Sequence, residues 1–82
     1  QKKTPKRLAV AIIFYTKKAK EKNNSPSFNY DVEELASIVG ATQPTLKTTK
    51  DFANKGLILK GSHELLAKDM FAVKKSANAS WL

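Results

Sequence analysis

The sequence predicts a mainly α fold with a small β-hairpin: a three-helix core, the hairpin, and a short C-terminal helix. Three observations predict it. Apolar residues recur at helical spacing through residues 4–22 and 31–55. Gly40 and Gly56 stand where two of those helices must stop. Residues 57–60 and 63–67 form two short apolar runs about Gly61-Ser62, a hairpin pattern. Eighty-two residues suit one small domain with a thin core. The expected layout is a basic arm at 1–5, the folded unit at 6–77 and a tail at 78–82 with Trp81 packing back.

The first helix begins with Thr4 as cap and Pro5 in the first position, where the missing N–H costs nothing. Leu8, Ala11, Ile12, Tyr15 and Ala19 form its core stripe. Val10, Ile13 and Phe14 fall outside that stripe, so the helix is buried on several sides or meets a partner subunit. Residues 23–29, broken by Pro26, read as a polar loop. Asp31 and Glu34 form a capping box for the second helix, and Tyr30 with Leu35 a hydrophobic staple. Leu35, Ile38 and Val39 supply its buried face, and Gly40 ends it in the left-handed conformation.

Thr42 caps the third helix, and Pro44 falls in its first turn. Leu46, Thr49 and Ala53 face the core, with Phe52 near them. Gly56 terminates the helix, and Leu57 folds back on Phe52 in a Schellman closure. Beyond it the hairpin, turning at Gly61-Ser62, precedes a helix over residues 69–76. The competing reading of 63–77 is one helix capped by Ser62.

Composition narrows the function. The chain has fifteen bases, seven acids, one His and no Cys, for a net charge of +8. Disulfides, thiolate metal sites and a cysteine nucleophile are excluded, and no cofactor or metal is expected. No Gly-rich phosphate loop or nucleophile–base pair stands out, and Asp31, Glu33 and Glu34 are explained by a helix cap and a solvated face. An enzyme is therefore not expected, nor a small-molecule site. The apolar run at 8–15 is too short to span a bilayer and lacks a signal-peptide cleavage site, so an intracellular protein without a membrane partner is expected.

The charge is segregated. Residues 1–22 carry +7, residues 23–46 carry −3, and residues 47–82 carry +4. Residues 35–48 read as a helix, a tight turn at Gly40 and a second helix, the helix-turn-helix arrangement that lays its second helix in the major groove of DNA. The base-rich stretch resumes on that second helix, which favours phosphate contact. Double-stranded DNA is the expected partner. The surplus apolar positions of the first helix are the candidate contact for a homodimer.

Residues 7–75 resemble the winged helix-turn-helix DNA-binding domain of the cyclic-AMP receptor and fumarate–nitrate regulator family. The resemblance is carried by the spacing from Leu35-Ala36 to Gly40, by Thr42, by Thr45-Leu46, and by Lys55-Gly56-Leu57-Ile58 before the hairpin, which would be the wing. It implies the DNA-binding part of a transcription regulator, with the ligand-sensing and dimerising part lying elsewhere. Three departures stand out. Pro44 sits where the family often has an acidic base-reading residue, and Thr48 where it often has Arg. The segment from Thr45 to Gly56 is one residue shorter than usual.

Docking geometry then nominates the DNA-contacting residues. Gln43 can pair with adenine through its amide. Lys47 and Thr48 lie a turn further on; Thr42 and Thr45 offer hydroxyls to phosphate, and Lys50 reaches a flanking phosphate. On the wing, Lys60, Ser62 and His63 approach the neighbouring groove or backbone. Two other readings compete. One is a cyclin-like repeat of the transcription-factor-B type, which also binds DNA. The other is a winged helix used for protein–protein assembly, which the apolar first helix and the absence of Arg at position 48 both favour.

Overall fold

A computed structural model describes residues 3–40, 42–61 and 63–78. Helix α1 spans Lys3–Asn23, strand β1 Ser27–Asn29, α2 Val32–Val39 and α3 Thr42–Asn54. Strands β2 (Ile58–Lys60) and β3 (Glu64–Ala67) follow, then α4 (Met70–Ser76). The expected helices are all present, and the hairpin prevails over the single long helix. Trp81 lies outside the described residues.

Helix α1 is the central element. It packs on α2 and α3, on α4, and on the sheet. That encirclement explains why its buried arc is so wide: Leu8, Ala9, Ala11, Ile12, Ile13, Thr16 and Ala19 are all buried. Ile13, off the expected stripe, is only 2% exposed, whereas Phe14 is 68% exposed. The helix also starts earlier than expected. Lys3 to Pro5, assigned to an arm, belong to α1, and Thr4 is buried rather than capping from outside. Pro5 still falls in the first turn, where its lost donor has no helical partner.

The polar loop hides a strand. Ser27, Phe28 and Asn29 pair antiparallel with β3, opposite Leu66, Leu65 and Glu64. Strand β2 pairs on the other edge of β3, so the sheet order is β1-β3-β2. Three residues with a single buried side chain give almost no periodic signal, and β1 exists because β3 presents an open edge. Phe28 is buried, with its ring 5.2 Å from that of Tyr15. This sheet leaves no place for the cyclin-like repeat, an all-helical arrangement.

The turn chemistry is mostly as read. Asp31 caps α2 by accepting from the Glu33 N–H at 3.0 Å. Glu34, expected to complete a capping box with Asp31, instead accepts from the Tyr15 hydroxyl at 3.2 Å. Burial, then the Glu34 charge and this hydrogen bond, raise the Tyr15 pKa and keep it a protonated donor. Gly40 adopts φ 93°, and its N–H donates to the Ala36 carbonyl at 2.7 Å. Gly56, at φ 80°, permits the Schellman closure, with the Leu57 N–H on the Phe52 carbonyl at 2.9 Å. Asp69 caps α4 through the Ala72 N–H instead of belonging to the helix.

Two buried faces are corrected. On α2 the buried residues are Leu35, Ala36 and Val39, and Ile38 is 54% exposed. On α3 they are Thr45, Thr48, Thr49 and Phe52, while Leu46 reaches solvent and Ala53 is half-buried. The inner stripe of α3 thus starts at Thr45, one residue before the expected Leu46. Apolar spacing misled because three of its four inner positions are threonines. Threonine is tolerated there because its hydroxyl can bond the preceding turn: the Thr49 Oγ1 donates to the Thr45 carbonyl at 2.7 Å.

Candidate nucleic-acid interface

Helix α3 starts three positions after α2 ends, and the two pack against each other and against α1. Arg7 braces the joint from α1. Its Nη1 donates to the Val39 carbonyl at 3.2 Å, one of the last carbonyls of α2. A cation at a helix C-terminus also complements the helix dipole. Sequence reasoning gave Arg7 no role, because nothing local links it to a residue thirty-two positions away.

With the threonine face inward, the outward face of α3 carries Lys47, Lys50, Asp51 and Asn54, all exposed. Lys47 and Lys50 are therefore open to solvent, as any contact with a partner would need. Thr45 and Thr48 are not. Thr45 is fully buried and Thr48 nearly so, and neither hydroxyl can meet a phosphate from inside the core. The side chains of Thr42 and Gln43, and Ser62, fall outside what the structure describes. Along the backbone, Gln43 precedes Lys47 by one helical turn.

The hairpin leaves α3 through the Gly56 turn, and β2 packs back on α3. Lys60 and His63 are exposed at its far end. The loop is centred one residue later than expected: Gly61 and Glu64 close it, with the Gly61 N–H on the Glu64 carbonyl at 2.8 Å. Tyr30 ties this tip to the entrance of α2. Its N–H donates to the His63 carbonyl at 2.9 Å and its hydroxyl to the Gly61 carbonyl at 3.2 Å. The staple pattern singled out Tyr30 for its ring; the hydroxyl's partner was invisible in sequence. Tyr30→Phe is expected to cost about 1 kcal/mol, the worth of one hydrogen bond. Hydrogen exchange should quicken at residues 60–64 while the helical amides stay protected; uniform loss of protection would refute a local anchor.

No protein-family model matches the chain, and no curated protein does. Among solved structures, the Thermus thermophilus catabolite activator protein matches with a TM-score of 0.76 at 18% identity, over 94% of this chain. The fold is a winged helix-turn-helix. The chain spans 35% of the length of that activator protein. In these terms α2 and α3 are the helix-turn-helix, and β2 with β3 is the wing. No helix among the described residues is long and apolar enough to cross a membrane. No cluster of three or more His, Asp or Glu that could hold a metal occurs among them.

Proposed function

We propose that this winged helix-turn-helix binds double-stranded DNA as the DNA-binding part of a transcription regulator, with α3 in the major groove. The observation that carries the reading is the outward face of α3. Lys47 and Lys50 are exposed there, while Thr45, Thr48, Thr49 and Phe52 on the opposite face are buried in the core. A helix so fixed presents its bases without ordering a flexible segment on binding. Lys60 and His63 extend the contact from the wing, and Gln43 reads adenine at the leading turn of α3. Thr42 offers its hydroxyl to phosphate and Ser62 approaches the neighbouring groove or backbone, whereas the buried Thr45 and Thr48 take no part. The whole chain, at +8, adds sequence-independent attraction.

The reading is tested by fluorescence anisotropy with a labelled random duplex. Affinity is expected to fall by at least about a hundredfold between roughly 50 and 200 mM salt, as condensed counterions are released. Failure to bind at the low end would remove DNA as the partner.

A further inference from the structure

We propose that the groove between α1 and the C-terminal half of α2 docks an acidic amphipathic helix of a protein partner. This open groove of about 610 Å³ is lined by Lys6, Arg7, Val10, Ala11, Phe14 and Ile38. Phe14 and Ile38 are exposed, and Val10 is half-buried. Val10 and Phe14 are four apart on α1, so they form one ridge. A contiguous apolar patch rimmed by charge is the signature of an interaction surface, unlike a scattered exposed leucine.

Charge decides the occupant. Both ionisable residues lining the groove are bases, and Lys17 and Lys18 follow Phe14 on the next turn of α1. Arg7 is already oriented, because its Nη1 is held on the Val39 carbonyl at 3.2 Å. A guanidinium has five N–H donors, so the remaining ones can receive a carboxylate with little ordering cost. A second copy laid α1 against α1 would oppose bases with bases, since Glu21 is the one acid in that helix. DNA offers nothing for Phe14 or Ile38 to cover. A helix with apolar anchors at i, i+4 and i+7 and carboxylates beside them satisfies both the ridge and its rim.

The groove shares no lining residue with the proposed DNA surface. Phe14 lies two residues from buried Ile12, about 200° around α1. The lining comes from α1 and α2, and Lys47, Lys50, Lys60 and His63 are not part of it.

The test is a labelled peptide of about five helical turns, with Leu and Phe anchors and Glu flanks, titrated into the intact domain. A companion peptide carries Lys at every Glu position. The acidic peptide is expected to bind, shifting the NMR signals of Val10, Phe14 and Ile38. Phe14→Ser and Lys6→Glu are each expected to weaken it about tenfold or more, with unchanged circular dichroism. Should Phe14→Ser disturb the fold, Lys6→Glu and the shift map carry the result. Equal binding of both peptides, no binding of either, or shifts confined to α3 would overturn the proposal. So would a homodimer, seen by sedimentation, that buries Phe14.

Discussion

Ile13→Ala is expected to destabilise the domain by about 2–5 kcal/mol, while Phe14→Ala shifts stability by less than about 0.5 kcal/mol. The two residues are adjacent, and hydrophobicity alone treats them alike. The structure separates them: Ile13 is 2% exposed and Phe14 is 68% exposed. Removing the Ile13 side chain leaves a cavity in a core built around one helix, with little material able to relax into it. Domains of this size hold roughly 4–12 kcal/mol in all, so the Ile13 variant melts many degrees lower or fails to fold. Urea unfolding of the two variants decides the matter. Equal losses would mean that the placement of α1 is rotated.

Lys47→Ala with Lys50→Ala is expected to weaken duplex binding about a hundredfold at 100 mM salt, roughly tenfold for each phosphate left without its lysine. The slope of log affinity against log salt should flatten by about two. Both side chains are exposed on α3, so melting should be unchanged. Thr48→Val is the matched comparison. It alters a buried position on the same helix and is expected to leave affinity intact. Weaker binding with Thr48→Val, but not with the double alanine variant, would show that a different face of α3 meets DNA.

The elements that carry the fold were legible because their signals are local. Asp31, Gly40 and Gly56 act on the few residues beside them, and each does in the structure what its chemistry implies. Strand β1 was not legible, since its partner is β3, more than thirty residues on. The inner face of α3 was missed by one position because hydrophobicity was the guide and threonines occupy the interior. That shift put Thr45 and Thr48, which are buried, among the surface candidates, whereas Lys47 and Lys50 are exposed. The exposure of Ile38 and Phe14 was likewise hidden: an apolar side chain gives no sign of whether its neighbour is its own core or another molecule.

The threonine lining of α3 sets how far that helix stands from the body of the domain. Thr45, Thr48 and Thr49 are short side chains buried beneath α3. Enlarging one of them, as in Thr48→Ile, would lift or roll α3 as overpacking forces the backbone to shift. If α3 lies in the major groove as proposed, its lysines would then meet the double helix at a new depth and angle, with none of them altered. Target preference would then be adjustable from behind the proposed recognition surface, through buried residues.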